Sequence, residues 1–493
     1  MLLLGIDIGT SSVKVSVVDA ATTKTIASAQ FPETEAAITS QQPGWAEQEP
    51  DTWWQYTKQA IQQVNNSGKY YPAGIVSIGI AYQMHGLVVI DKNKNVLRPS
   101  IIWCDSRAVE TGNKAFNDLG SDYCLSSLLN SPGNFTASKL AWVKQNEPDT
   151  YKNIHKIMLP GDFIALKLTG EISTSPSALS EGIFWDFKSG DIADKVIAYY
   201  GFDKAFIPSV QPVFSVHGKV TKGVAAELKL NPGIPVAYKA GDQPNNALSL
   251  NVMKPGEIAA TAGTSGVIYA VSDKLTYDPA SRVNSFAHVN YSNTEKSIGV
   301  LLCINGTGIM NRWVKDTAGR GLSYIEINQQ AEAVALGSDG LSILPFGNGA
   351  ERMLENKMPG AQIINLRLTQ HTSAHLFRAV QEGIACSFKY GLDILRENGI
   401  HPTVIRAGKA NMFLSKLFTD LFVNFTGVAV ELYENDGAAG AAIGCGIGAG
   451  VYKTPEEAFV SYKPVAIAEP GKSPAKYSDI YHKWKTYLEK SID

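Results

Sequence analysis

One short pattern occurs twice in the chain, half a chain apart. Leu2 to Ile8 is an apolar run that reads as a strand. Gly9-Thr10-Ser11-Ser12 follows as a tight turn, and Val13, Val15 and Val17 then alternate with Lys14 and Ser16 as a half-buried return strand. The stretch IAATAGTSGVIYAVSD, residues 258–273, repeats the plan around Gly263-Thr264-Ser265-Gly266. Gly9 and Gly263 lie 254 positions apart in a chain of 493 residues. A single Gly-Ser turn constrains little, because such turns are common and need no ligand to explain them. Two copies at half-length point to two related domains facing each other. Glycine lets the backbone approach a ligand closely, and the amides and hydroxyls of such tips can cradle phosphate oxygens. Two tips on one cleft can therefore hold a polyphosphate from both sides.

Asp7 interrupts the first apolar run. A carboxylate there costs free energy unless a metal, a hydrogen-bond network or a ligand compensates it. The turn amides of Thr10 and Ser11 are one source of compensation, and a bound cation is the other.

The rest of the composition narrows the partners. With 44 basic against 46 acidic residues the chain carries no electrostatic footprint for nucleic acid or an anionic membrane, which leaves small molecules. Its five cysteines are widely spaced and form no C-x-x-C pair, a pattern that fits a reducing, cytoplasmic setting. The opening Met-Leu-Leu-Leu has no basic flank and meets Asp7 too soon for a signal peptide. No run approaches the roughly 18 apolar residues of a membrane span.

Other phosphate motifs fail on spacing. Gly471-Lys472-Ser473 has Ala466 where a P-loop needs its first glycine, and Gly408-Lys409 has Thr403 there. The glycines of Gly444 to Gly450 follow an Ala-rich helical stretch, where close helix packing explains them better. His371 and His375 have the spacing of a zinc pair, but Thr372 replaces the glutamate of H-E-x-x-H, so a surface or capping role is expected.

Taken in order along the chain, five segments resemble the FGGY carbohydrate kinase family. They are GIDIGTSSVK, NFTASKLAWVKQNEP (134–148), AGDQPNNALS (240–249), TAGTSG (261–266), and IRAGKANMFLSKLFTD (405–420) followed by ENDGAAGAAIG (434–444). The resemblance spans residues 1 to about 450. It implies an α/β fold of two actin-like, ribonuclease-H-like ATPase domains with a catalytic cleft between them, which we place at 1–244 and 245–493. Within the family, GWAEQEPDTWW (44–54), QMHG (83–86) and IIWCDSRA (101–108) are most similar to xylulokinases, whereas glycerol kinases tend to carry Arg-Glu where this chain has Met84-His85. Two departures stand out: Asn134 in the first signature, and Pro244-Asn245-Asn246 where small residues commonly follow Gly-Asp-Gln.

The resemblance implies ATP and Mg²⁺ as cofactors and D-xylulose as substrate, with another ketose, a polyol or a sugar acid as the alternative. An actin-like or chaperone-type ATPase is the rival from another class, and it leaves QMHG and WCDSR unexplained. VAYKAGDQPNNALSLN reads as a strand from Val236 to Ala240, a tight turn, and a helix from about Pro244. Asp242 at that junction is either a helix cap or, as the resemblance implies, the general base. Asp7 with Asp242 would hold Mg²⁺. Gly9, Thr10, Ser11 and Ser12, opposite Gly263, Thr264 and Ser265, would bind the phosphates, while Gly408, Asn411 and Gly437 would serve the adenosine side. Gln83, Met84, His85, Trp103 and Asp105 are expected at the sugar. His85 and Asp105 would bond hydroxyls, and Met84 and Trp103 would form an apolar wall. In the last segment Ile480, Trp484, Tyr487 and Leu488 share a helical face, read as core packing with a homodimer contact as the alternative.

Overall fold

Both hairpins form. The computed structural model describes residues 1–492. In its first half β1 (Leu2–Ile8), β2 (Val13–Asp19), β3 (Thr25–Phe31), β4 (Ile75–Tyr82), β5 (Gly218–Lys219) and β6 (Pro235–Gly241) make one sheet in the order β5-β6-β4-β1-β2-β3. In its second half β7 (Glu257–Ala262), β8 (Gly266–Ser272), β9 (Asn284–Ala287), β10 (Ile298–Ile304), β11 (Val404–Gly408), β12 (Val430–Tyr433) and β13 (Ala466–Ala468) make another, in the order β9-β10-β8-β7-β11-β12-β13.

The two sheets share a wiring. The hairpin strand β1 pairs antiparallel with β2 and parallel with β4, β2 pairs antiparallel with β3, and β4 runs parallel to β6. Its counterpart β7 pairs antiparallel with β8 and parallel with β11, β8 pairs antiparallel with β10, and β11 runs parallel to β12. The parallel strands β1, β4 and β6 are covered on both faces, which is why their sequences are nearly continuous apolar runs rather than alternating ones.

The helices that matter for the site are α1 (Pro50–Asn65), α2 (Thr136–Asn146), α3 (Pro176–Glu181), α4 (Asp242–Ser249), α5 (Gly308–Ala318), α6 (Tyr324–Glu332), α7 (Ser373–Glu397), α8 (Lys416–Thr426), α9 (Gly437–Gly448) and α10 (Pro474–Ile492). Of these, α9 leaves the second sheet and packs on the first, against β1, β4 and β6 and alongside α4. The approach is so close that a methyl group at Gly5 would fall 1.7 Å from the Ala438 carbonyl oxygen, and one at Gly79 2.0 Å from that of Ala441. A methyl at Gly448 would sit 1.8 Å from the Ala237 carbonyl oxygen. The Gly/Ala run of α9 is thus a packing surface between the two halves.

At the chain's end, α10 buries Trp484 and Leu488 in the second half's core, and the Trp484 indole donates to the Ile343 carbonyl at 2.9 Å. His371 and His375 do local work. The His375 Nδ1 accepts the Thr372 amide at 3.1 Å, capping α7, and the His371 Nδ1 accepts the Arg367 amide at 3.0 Å. All five cysteines are free thiols. Among the described residues no helix is long and apolar enough to cross a membrane.

Candidate active site

Asp7 and Asp242 stand at the same end of one sheet. Asp7 pairs in register with Ala81 of β4, and Ala81 pairs with Ala240 of β6, so Asp242 begins two residues beyond Asp7's level. Two inter-strand spacings separate their backbones, about 10 Å, within reach of two carboxylates leaning together. Asp242 is the first residue of α4, whose cap position is Gly241, so the side chain is not spent as a helix cap. Burial and the nearby Asp7 push the Asp242 pKa up to about 7. Burial and Asp436 raise Asp7 to about 6, and Lys14 opposes the shift only in part.

No side chain stands between Asp7 and α9. A methyl group at Gly437 would lie 2.3 Å from the Asp7 Oδ2, so only glycine lets the helix start there. The Ser16 hydroxyl donates to Asp436 at 2.5 Å, and Asp436 caps α9 through the Ala438 amide at 3.1 Å. The Asn residues that depart from the family pattern join the two halves behind the carboxylates. Asn245 donates to the Gly437 carbonyl at 2.9 Å, and the Asn435 amide nitrogen donates to the Asn246 Oδ1 at 2.8 Å.

The first turn is wired to the loop after β4. The Trp103 indole donates to the Thr10 hydroxyl at 2.9 Å, and that hydroxyl donates to the Gln83 Oε1 at 3.2 Å. Gln83 in turn donates to the Gln48 Oε1 at 3.1 Å, and Gln48 donates back to the Thr10 carbonyl at 2.8 Å. The Thr10 hydroxyl is therefore engaged by Trp103 and Gln83, and its proton is already given to Gln83. Ser11 is exposed at the tip, with Ser12 half-buried beside it.

The loop after β4 is held hard. Met84 is buried against Gly241, where a methyl group would meet its Cγ at 2.6 Å. His85 takes a left-handed backbone with φ of 64°, uncommon for a non-glycine residue. Its amide donates to the Glu181 carboxyl at 3.0 Å, and its Nδ1 lies 3.0 Å from the Glu181 carbonyl oxygen. A carbonyl can only accept, so Nδ1 carries the proton and Nε2 is left as an acceptor. Burial drops the imidazole's pKa to about 3 and raises that of Glu181 well above the usual carboxylate range. With the imidazole held neutral, their 3.7 Å approach is not an ion pair. Phe135 and Phe286, with ring centres 4.7 and 5.4 Å from the imidazole, wall it in from both halves of the chain.

Asp105 is placed differently from the expectation that it bonds a hydroxyl. Its carboxylate is buried and taken up by Arg107, with Nη2 to Oδ2 at 2.7 Å, and by the Ala46 amide at 2.6 Å. Arg107 also pairs with Glu47 at 2.7 Å and lies over the rings of Trp45 and Trp142, 3.8 and 5.0 Å from their centres. A carboxylate already saturated by a bidentate guanidinium has little left to offer a sugar. Its part is to fix the loop from which Trp103 projects, 54% exposed.

The second turn is held through its carbonyls. Gly308 and Ile309, at the start of α5, donate their amides to the Gly263 and Thr264 carbonyls at 3.0 and 3.1 Å, and the Thr307 hydroxyl reaches both carbonyls. Beside the turn opens a cavity of about 590 Å³, lined by Gly263, Thr264, Asn311, Tyr324, Gln381 and Asn411 among others. Ile325 and Leu414 line it too and are exposed, apolar surface suited to the face of a base. Asn411 is on the wall of this cavity, whereas Gly408 sits beside Asn435 and Gly437 beside Asp7.

Glu181, Gln48, Tyr324 and Gln381 escaped the sequence reading. Glu181 alone carried a signal, the one applied to Asp7: a lone carboxylate in the otherwise uncharged run Ser173 to Trp185. Among the described residues no three or more His, Cys, Asp or Glu side chains cluster as a metal cage.

The model of the N-terminal domain of the FGGY family of carbohydrate kinases matches residues 2–249. The xylulose kinase of Haemophilus influenzae is 28% identical, covering 99% of this chain and 99% of its own. That of Escherichia coli K12 is 27% identical over 94% of this chain and 92% of its own. Among solved structures, a xylulose kinase from Brucella ovis superposes with a TM-score of 0.90 at 25% identity over the whole of both chains. Glycerol kinase from Plasmodium falciparum with ADP gives 0.89 at 19% identity, a likeness of fold.

Proposed function

The chain belongs to the FGGY family of carbohydrate kinases, and on that premise we propose that it transfers the γ-phosphoryl group of ATP to D-xylulose, giving D-xylulose 5-phosphate. The observation that carries the mechanism is Asp242: a carboxyl at the end of a central strand, facing Asp7, with a pKa pushed up to about 7. A base poised near the working pH takes a hydroxyl proton most effectively. In this reading the Asp242 carboxylate removes the proton from the sugar's terminal hydroxyl as its oxygen attacks the γ-phosphorus in line.

The donor set fits a hard divalent cation delivered with the nucleotide. Burial and Asp7 raise the pKa of Asp242, burial and Asp436 raise that of Asp7 with Lys14 opposing only in part, and oxygen donors are what Mg²⁺ prefers. Asp7 and Asp242 would hold it, and when bound it supplies neutralisation of the charge on the transferring phosphoryl group. The turn at 263–265, with Ser11 and Ser12 opposite, receives the phosphates, and the cavity by Asn411 receives the adenosine. Gln83, Met84, the His85 Nε2 acceptor and Trp103 receive the sugar.

We assign residues 1–244 and 245–493 to the two actin-like domains, supported by the repeated five-strand wiring and by a family match that ends at 249. A cytoplasmic setting is supported by five free thiols. The apolar face of α10 belongs to the subunit core, so a homodimer would have to use another surface.

The test is ATP turnover measured across pentuloses, hexuloses, sugar acids and glycerol. D-Xylulose should give the highest kcat/KM. Equal or better turnover with another acceptor overturns the substrate, and nucleotide hydrolysis indifferent to every sugar overturns the kinase reading.

A further inference from the structure

The first family signature, residues 134–148, has no part in the chemistry above, yet it delivers a fully buried cation to the sugar loops. Lys139, in the first turn and a half of α2, has no exposed surface. Its ammonium donates to the carbonyl oxygens of His85 at 2.9 Å and of Ile102 at 3.0 Å. Those carbonyls belong to the two loops that carry Gln83 to Gly86 and Trp103 to Asp105. No carboxylate lies within ion-pair distance of it among the described residues: Asp105 is taken by Arg107, and Glu181 by Tyr82 and the His85 amide. Burying a charge without a contacting counter-ion is costly, and a hydrophobic residue of similar volume would fill the space more cheaply.

The neighbouring signature residues act on the same loops. Thr136 donates its hydroxyl to the His85 carbonyl at 3.3 Å, and Asn134 donates its amide to the Asp105 carbonyl. Asn134, Thr136 and Lys139 thus all end on the backbone of a sugar loop. The His85 carbonyl is the important one, since the left-handed residue it belongs to must be held from both sides: Glu181 takes its amide, and Lys139 with Thr136 takes its carbonyl.

We propose that Lys139 is a positioning residue for the sugar site, a buried ammonium that ties the 83–86 loop to the 102–105 loop and so sets the His85 ring against the substrate. This rests on the assignment of those loops to the sugar. The groups facing the ammonium are Asp105, Cys104, Arg107 and Glu181. Burial, with Arg107 acting the same way, outweighs Asp105, Cys104 and Glu181 and brings its pKa down to about 7. As pH rises through that value the ammonium loses its charge, and charge-assisted bonds, about twice as strong as neutral ones, weaken.

The experiment is steady-state kinetics of the full-length enzyme with D-xylulose and ATP. Lys139→Met should raise the sugar KM by about tenfold or more while leaving the ATP KM within about twofold. Thr136→Val, a smaller change that keeps Lys139, should raise the sugar KM about twofold. In the unmodified enzyme the sugar KM should climb about threefold between pH 6 and 8.5, and Lys139→Met should flatten that climb. An unchanged sugar KM in both variants, or sugar and ATP KM rising together, overturns the proposal. Should Lys139→Met not fold, Thr136→Val and the pH profile decide it. If the unmodified enzyme phosphorylates no ketose at all, the functional reading fails; if it does and Lys139 is indifferent, this inference alone fails.

Discussion

Replacing Asp242 by Asn should cost activity and add stability, and the two effects have one cause. The carboxyl is lifted from 3.8 to about 7 because the fold removes it from water and sets it against Asp7. Above that pKa it is ionised in both the folded and the unfolded chain, and the folded state carries the whole penalty, at most about 4 kcal/mol at 1.36 kcal/mol per unit. At pH 5 the folded carboxyl is largely neutral while the unfolded one is ionised. The penalty there is only the distance from 3.8 to 5, roughly 1.6 kcal/mol. The folded protein binds the extra proton, so its stability falls as pH rises from about 4 to about 7. Asn keeps the shape and never ionises. With water entering the cleft and lowering both limits, we expect Asp242→Asn to be more stable by about 1 kcal/mol at pH 5 and about 2 kcal/mol at pH 8. Turnover should fall by about 10² to 10⁴, equivalent to about 2.7–5.4 kcal/mol of barrier, with the sugar KM little changed. Urea unfolding without nucleotide at the two pH values, beside kcat on D-xylulose, measures both. A stability difference that does not widen with pH refutes the electrostatic argument, and near-normal turnover removes Asp242 as the base.

Three further outcomes follow from the geometry around that carboxyl. Gly437→Ala places a methyl 2.3 Å from the Asp7 Oδ2, so α9 must shift, with a loss of about 1–3 kcal/mol and of activity; an unaltered melting temperature and kcat would count against the close approach. Asn435→Ala breaks the 2.8 Å bond to Asn246 that joins the two halves, and Asn246→Ala added to it should cost little more than either alone; additive losses in a double-mutant cycle would show that the pair does not act as one. Because burial raises Asp7 to about 6 and Asp242 to about 7, binding of Mg·ATP should release protons from both, and its affinity should rise between pH 5.5 and 7.5 by up to about tenfold per unit for each proton released. Calorimetric binding that is flat across that range, with an enthalpy indifferent to the buffer, contradicts the assignment.

What was legible in the sequence follows the range of the interactions involved. The hairpins could be read because strand, turn and return strand are adjacent in the chain, and Asp7 stood out because an isolated carboxylate in an apolar run is a local anomaly. The α9 glycines were readable as packing, but not their partner: that Gly437 stops against Asp7 and that the helix crosses to the first sheet depend on residues some 430 positions apart. Separation along the chain, here tens of residues, also explains the side chains read differently. Asp105 looked like a free hydrogen-bonding group because nothing nearby in the chain reveals that Trp45, Glu47 and Trp142 will assemble a socket for Arg107, which then takes the carboxylate. Thr10 looked like a phosphate donor because its turn does, while its hydroxyl is committed by Trp103 and Gln83 from a separate strand end. A polar residue's type says what it can bond, but only the packed neighbours decide whether that capacity is still free. Asp242, Asp7 and the His85 Nε2 keep that capacity while burial holds each away from its ordinary pKa.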